Sequence, residues 1–536
     1  MSEPTYVIAY DIGTTGNKTC LFRVSDKIRL VASTMGEYSL SVLENGGAEQ
    51  DPDEWWTGLG KSTREVLNKS GIPAEEICGI SFCSQMQGLV LVDPEGNAVR
   101  PAMSYMDQRA EKEKAEGVGY GLQIQGVNIF KLLKSLYITG AVAASAKDPL
   151  WKYKWVQANE PDIFARVHKW LDVKEYLIGR CTGRFVMTED SAFATFLYDS
   201  RKGKKNWSRS LCRMYGIREE HMPEVIASTD AVGTLTARAA ADLGLTEDCT
   251  VFGGGGDATL IGVGAGSVGV GDTHIYSGTS GWVSTVVDKR IIDINHMIAS
   301  VIGAEPGRYN YFGELETSGK CLEWVKNHLA LDEIGVYMKK VKITEGPEAV
   351  YKSMYDHMCD SITDTPAGSG GVIFTPWLHG NRCPFEDSNA RGMFFNISLD
   401  TGKRKLIRAV LEGICYHTNW MMEASAEKTE VSNHIRFVGG GAISPMVCQI
   451  MADVTGRVIE TVESPQNVGS VGAAVCCAIG LGAISGFDCV KEFIPVKDIY
   501  RPDTRVQDAH GKNYRVFKQL YGSNRKNFKL LNALSL

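Results

Sequence analysis

The chain lacks most of the signatures that assign chemistry to a sequence at sight. Its 14 cysteines form no Cys-x-x-Cys pair and no Cys/His array with zinc spacing. They are scattered, some inside apolar runs such as Ala474-Val475-Cys476-Cys477-Ala478, which leads us to expect buried thiols in a reducing, cytoplasmic compartment. The 10 histidines include no His-Glu-x-x-His and no other metal spacing. No basic segment followed by an apolar stretch opens the sequence, so no secretory signal is expected. The longest apolar run, Gly472 to Ile484, is too short to cross a bilayer and is broken by glycine. A net charge of -6 gives no reason to expect nucleic acid or an anionic membrane as partner. Thr317-Ser318-Gly319-Lys320-Cys321 imitates the end of a Walker A loop. However, Gly313 is one residue too far upstream, and Cys321 stands where Ser or Thr is required.

What the chain has in plenty is glycine, 57 in 536 residues, clustered at Gly253 to Gly256, Gly262 to Gly271 and Gly439 to Gly441. Such clusters mark turns or places where backbone approaches a ligand closely. The length exceeds one ordinary core, and 44% hydrophobic with 22% charged residues matches a globular protein. Strand-like and helix-like stretches alternate, which predicts an α/β architecture. We expect two domains, 1–268 and 269–536, with a cleft between them.

One turn occurs twice. Tyr6 to Tyr10 runs into Asp11-Ile12-Gly13-Thr14-Thr15-Gly16 and on to Val24; Thr273 to Tyr276 runs into Ser277-Gly278-Thr279-Ser280-Gly281 and on to Val287. Each reads as strand, tight turn, strand. Turns of this kind converge backbone N–H groups and hydroxyls on one point, which suits phosphate. One copy in each half suggests two similar domains gripping a polyphosphate. Asp11, at a strand end beside the first turn, is a natural partner for Mg2+, usually through water.

Asp257 follows four glycines at the end of a predicted strand, Thr250 to Phe252. An open carboxylate there could take a proton from an alcohol, or it could simply cap the helix predicted to follow. Gly439-Gly440-Gly441-Ala442-Ile443-Ser444-Pro445 reads as a flat platform between a strand and a helix, fit for a nucleotide base or ribose. Ser84-Gln85-Met86-Gln87-Gly88 and Asp107-Gln108-Arg109 supply amides, a carboxylate and a guanidinium, which suit a polyhydroxylated ligand. Helices are also expected from Asp51-Pro52 and over Leu150 to Ala158, Pro445 to Thr455 and Asn513 to Leu534. The tail helix could serve a homodimer, although amphipathic helices usually pack at home.

In this order, these segments resemble the FGGY carbohydrate kinases, and within them the branch that acts on xylulose. Asp11-Ile12-Gly13-Thr14-Thr15 resembles the first phosphate motif and Ser277-Gly278-Thr279-Ser280-Gly281 the second. Lys152-Tyr153-Lys154-Trp155 is similar to the family's Lys-aromatic-x-Trp signature, and Gly439 to Gly456 to its adenosine motif. The resemblance implies two actin-like domains of the ribonuclease H type around a deep cleft, with ATP and Mg2+. It implies Asp257 as the base and Asp11 at the metal. It also implies Thr14, Thr15, Lys18, Gly278, Thr279, Gly319, Gly440 and Gly441 at ATP. Gln85, Met86, Gln87, Asp107 and Arg109 fall where the family contacts its small sugar or polyol. The chain departs from that branch at Gln87, which stands where His is common, and at Ala258, which stands where an amide is usual.

Overall fold

The computed structural model describes residues 4–124, 126–330 and 354–533. Strands β1 (Thr5–Ile12), β2 (Gly16–Val24) and β3 (Ile28–Glu37) form an antiparallel meander. A short strand β4 (Ala48–Gln50) leads into α1 (Pro52–Ser70). This helix begins as its sequence dictates: the Asp51 side chain accepts from the Asp53 N–H, and Pro52 occupies the first turn. Strand β5 (Ile77–Ser84) then runs parallel to β1. After α2 (Pro149–Asn159), strands β6 (Ala231–Thr234) and β7 (Thr250–Phe252) complete the far side of the sheet. A two-residue strand β8 (Gly255–Gly256) lies beside the end of β5 and opens α3 (Asp257–Gly264).

The second half repeats the plan with β9 (Thr273–Ser277), β10 (Gly281–Val287), β11 (Ala299–Ile302) and β12 (Tyr309–Leu315). Helices α4 (Gly319–Val325) and α5 (Lys403–Ala426) follow. Then come β13 (His434–Val438), α6 (Pro445–Thr455), β14 (Val458–Val462), α7 (Val468–Gly480), β15 (Val496–Tyr500) and α8 (Gln507–Asn532). The tail helix therefore starts earlier than expected, and its expected last residue, Leu534, lies outside the described residues.

The first sheet is ordered β6-β7-β5-β1-β2-β3 and the second β11-β12-β10-β9-β13-β14-β15. Read from β3 to β6, successive pairings are antiparallel, antiparallel, parallel, parallel, antiparallel. Read from β12 to β15, the series is the same. The repeated hairpin thus occupies the same place in a repeated sheet.

Side-chain alternation along β1 feeds two cores. Ile8, Tyr10 and Ile12 pack with Trp55 and Leu59, while Val7 and Ala9 pack with Leu260, Val438 and Val475. The second core joins both halves, because α7 lies against β1 and β5 of the first sheet. Helices α3 and α7 cross at backbone distance. A Cβ on Gly264 would sit 1.9 Å from the Val468 carbonyl, and one on Gly472 would sit 2.1 Å from the Leu260 carbonyl. Among the described residues no disulfide forms, and every thiol except those of Cys78, Cys359 and Cys489 is buried. No described helix is long and apolar enough to cross a membrane.

Candidate active site

Strands β1, β5 and β8 run parallel and end together, which places their carboxyl ends on one edge of the sheet. Asp11, Cys83 and Gly255 form one row across the three strands, and Ile12, Ser84 and Gly256 the next. One residue further on come Gly13, Gln85 and Asp257. Ligands of α/β sheets bind at such edges. Asp257 remains partly exposed there.

Gly256 occupies the cap position of α3 without a side-chain cap bond, and Asp257 is the first helical residue. The Asp257 carboxylate accepts from the Ala258 N–H at 2.8 Å. Burial pushes the Asp257 carboxyl up to about 7; the Ala258 N–H opposes this, and the charges of Asp11, Glu314 and Asp190 add to it. Asp190 braces the turn from below, accepting from the Gly256 N–H at 2.7 Å. Glu314 comes from β12, whose Asn310 also reaches the Ala258 carbonyl at 3.4 Å. Asp257 therefore stands where the first sheet meets the edge of the second.

Burial raises the Asp11 carboxyl as well, with Lys18 and the Cys83 thiol opposing. Among the described residues no group of three or more His, Cys, Asp or Glu could hold a metal. A single carboxylate still fits Mg2+, which keeps several waters and takes its remaining ligands from phosphate. A Cβ on Gly469, at the start of α7, would lie 2.8 Å from the Asp11 carboxylate and 3.0 Å from the Cys83 sulfur. Lys18, opposite Asp11 on β2, donates to the Gln466 carbonyl at 2.7 Å.

The first turn has every carbonyl engaged. The Gly13 N–H donates to the Gly16 carbonyl at 2.9 Å, and the Tyr38 N–H to Thr15 at 3.2 Å. The Tyr38 hydroxyl lies 2.7 Å from the Gly13 carbonyl, and the Gln50 amide donates to the Thr14 carbonyl at 2.7 Å. The turn lies beside a cavity of about 420 Å³ lined by Gly13, Thr14, Thr15, Gly16, Met35, Glu37 and Tyr38.

At the second turn the Gly278 N–H donates to the Ser280 carbonyl at 2.9 Å, and Gly319 donates to the Gly278 carbonyl at 2.8 Å. Lys320 N–H reaches the Thr279 carbonyl at 3.3 Å. The segment that imitates a Walker loop is thus the backing of this turn. Cβ atoms on Gly439 and Gly441 would lie 2.5 Å from the Ser277 carbonyl and 2.7 Å from its hydroxyl. Gly278, Thr279, Gly319, Gly440 and Gly441 therefore converge on the end of β9, with Ile443 half-exposed next to them. Burial, with the charges of Asp11 and Asp257 adding to it, pushes the Tyr276 hydroxyl well above its ordinary value.

The residues expected at the sugar divide into two groups. Met86 touches the backbone just before Asp257: a Cβ on Gly256 would sit 2.2 Å from the Met86 Cγ. Gln85 is buried with its Oε1 unpartnered, and Gln87 holds a left-handed φ of 63°. That conformation is fixed from three sides. Asp172 accepts from the Gln87 and Gly88 N–H groups at 2.9 Å each, and Lys152 donates to the Gln87 carbonyl at 2.7 Å. Lys152 also holds the Ser104 carbonyl at 2.7 Å, and burial lowers its ammonium to about 8. Asp107 and Arg109, by contrast, are committed to each other at 2.7 Å, with Arg109 also on Glu49 at 2.7 Å and over the Trp155 ring at 4.5 Å. They build the wall beside the loop. In the sequence Lys152 stands out only as part of a signature, and Gln50, Asp172 and Asp190 carry no signal of their own.

A paired sheet, paired turns and a carboxylate at the strand ends between them define a phosphotransferase of the actin-like fold. Family models complete the assignment. The N-terminal domain of the FGGY family of carbohydrate kinases matches residues 6–264, and its C-terminal domain matches residues 274–481. The chain belongs to this family. It is 27% identical to the xylulose kinase of Bacillus subtilis (strain 168) over 519 residues, 96% of each chain. It is 26% identical to the gluconokinase of the same organism over 522 residues, 96% of this chain and 95% of the other. The crystal structure of ligand-bound xylulose kinase from Lactobacillus acidophilus superposes with a TM-score of 0.84 at 23% identity, covering 98% of this chain and 100% of that one.

Proposed function

We propose that this carbohydrate kinase moves the γ-phosphoryl group of ATP to a terminal hydroxyl of a neutral ketopentose such as xylulose, with Asp257 as the base. The observation that carries the reading is the common edge of β1, β5 and β8, which sets Asp11, Gln85 and Asp257 side by side. The sugar hydroxyl gives its proton to Asp257 as its oxygen bonds to phosphorus, and the bond to the β-phosphate oxygen breaks to leave ADP. A base near neutrality suffices, because the loose transition state needs orientation and late proton removal.

Thr14, Thr15, Gly278 and Thr279 would bind phosphate, with Lys18 beside them and Gly319, Gly440 and Gly441 along the nucleoside. Asp11 would hold Mg2+, which supplies charge neutralisation at the phosphates. Gln85, Met86 and Gln87 would orient the sugar, and Asp107 and Arg109 would support it from the wall. The division into residues 1–268 for sugar and 269–536 for ATP follows the same reading, with closure between them excluding water as a competing nucleophile.

A neutral substrate is favoured because the cations beside the loop, Lys152 and Arg109, already serve protein acceptors. An aldonate such as gluconate is the second reading, prompted by the gluconokinase relative. Coupled ADP release with D-xylulose, D-ribulose, erythritol, glycerol and gluconate tests both. D-Xylulose as the fastest acceptor is expected. Gluconate as the fastest establishes the second reading, and sugar-independent ADP release overturns both.

A further inference from the structure

We infer that Gln50 is a positioning residue whose side chain joins the sugar loop to the first phosphate turn, so that filling one sets the geometry of the other. The inference rests on the roles proposed above for those two loops. Gln50 ends β4 and is only 2% exposed. Its amide carries one donor end and one acceptor end, and the two serve different loops. Nε2 donates to the Thr14 carbonyl at 2.7 Å, and Oε1 accepts from Gln85 Nε2 at 2.9 Å. The backbone makes the same connection a second time, because the Gln85 N–H donates to the Ile12 carbonyl at 2.8 Å.

Two further observations give this bridge a direction. Gln85 Oε1 is buried and has no partner, although its Nε2 is held by Gln50. An acceptor left unsatisfied in the interior is costly, and a hydroxyl of a bound sugar is the kind of donor that would relieve it. In addition, β4 is anchored on both preceding residues. The Ala48 N–H donates to Asp107 at 2.9 Å, and Glu49 accepts from Arg109 at 2.7 Å and Arg100 at 2.5 Å. With the strand fixed, a shift of Gln85 on meeting a hydroxyl passes through the Gln50 amide to the Thr14 carbonyl. An amide serves both ends with its two terminal atoms. Glu at this position accepts from Gln85 but cannot donate to Thr14, and Met does neither.

The test measures affinity for a non-hydrolysable ATP analogue with Mg2+, with and without saturating D-xylulose, in the full chain. Wild type is expected to bind the analogue about five-fold tighter or more when sugar is present. In Gln50→Met and Gln50→Glu that enhancement falls below about two-fold, and adding Gln85→Met to Gln50→Met lowers it no further, as expected for two residues acting as one unit. Wild-type enhancement in either Gln50 variant overturns the inference. So does absence of enhancement in a wild-type enzyme that phosphorylates xylulose. Loss of folding in both variants, read by thermal melting, is the signature of a purely structural residue and overturns it too. Failure of wild type on every sugar of the ADP-release panel is a separate result and removes the kinase reading itself.

Discussion

Replacing Asp257 by Asn tests the proposed base through two readouts of opposite sign. Asn keeps the shape but cannot take a proton, so turnover is expected to fall by about 10²–10⁴-fold. Stability should move the other way. Burial is the leading reason the Asp257 carboxyl stands at about 7, with Asp11, Glu314 and Asp190 adding to it against the Ala258 N–H. Because the folded value lies above the unfolded one, ionising this group opposes folding. The cost is absent well below the unfolded value near ~3.9, grows with pH, and levels off above about 7. Its ceiling is ~4 kcal/mol, and water reaching the partly exposed carboxylate reduces it to about 1–3 kcal/mol. Asn carries no such cost. The variant should therefore melt a few degrees above wild type at pH 8, and about half or more of that advantage should vanish by pH 5 as the wild-type carboxyl protonates. Wild-type kcat/KM for the sugar, which reports the free enzyme, should follow the ionised fraction, roughly a tenth at pH 6, half at pH 7 and nine-tenths at pH 8. Scanning calorimetry and a pH profile of kcat/KM check both. An Asp257→Asn enzyme that melts below wild type at pH 8, or a wild-type kcat/KM that is flat from pH 6 to pH 8, refutes the reasoning.

Gly256→Ala drives a methyl to 2.2 Å from the Met86 Cγ, so the Met86 side chain must move; we expect a sugar KM raised about ten-fold and a stability loss of ~1–3 kcal/mol, read by steady-state kinetics and chemical denaturation. Gly441→Ala meets the Ser277 hydroxyl at 2.7 Å, whereas Gly440→Ala meets nothing closer than the Ser277 carbonyl at 4.0 Å. Melting should drop for Gly441→Ala and stay within about a degree of wild type for Gly440→Ala, an exposed position, and equal losses would refute the geometry. Lys152→Met releases the carbonyls of Gln87 and Ser104; sugar KM should rise several-fold more than the KM for ATP, measured by varying each substrate in turn.

The elements legible in the sequence were those specified by neighbouring residues. The two hairpins, the helix started by Asp51-Pro52 and the helix from Pro445 to Thr455 announce themselves through turn and cap chemistry acting over a few positions. The repeated sheet order was legible only as a repeated turn, because parallel pairings such as β1 with β5 join residues some 70 positions apart by backbone bonds that carry no residue code. The support of the site was hidden for the same reason. Asp172 fixes Gln87 from 85 positions away, Gln50 reaches Thr14 across 36, and Asp190 reaches Gly256 across 66. Each is an ordinary polar residue in its own neighbourhood, and its function exists only in the fold. Asp107 and Arg109 illustrate the converse. Their spacing of two invites a ligand, but the same spacing lets the guanidinium close back on its own carboxylate.

The position of the two key carboxylates at the junction of the halves follows from glycine. Asp257 heads α3, and the first turn of α7 covers Asp11, with Gly469 too close to that carboxylate for any side chain. The two helices meet at Gly264 and Gly472, where a methyl group on either would overlap backbone of the other helix. The separation of two packed helices is set by the side chains between them, and here there are none. A side chain at either glycine would force the helices apart, and α7 would lift away from the strand ends that carry Asp11 and lead to Asp257.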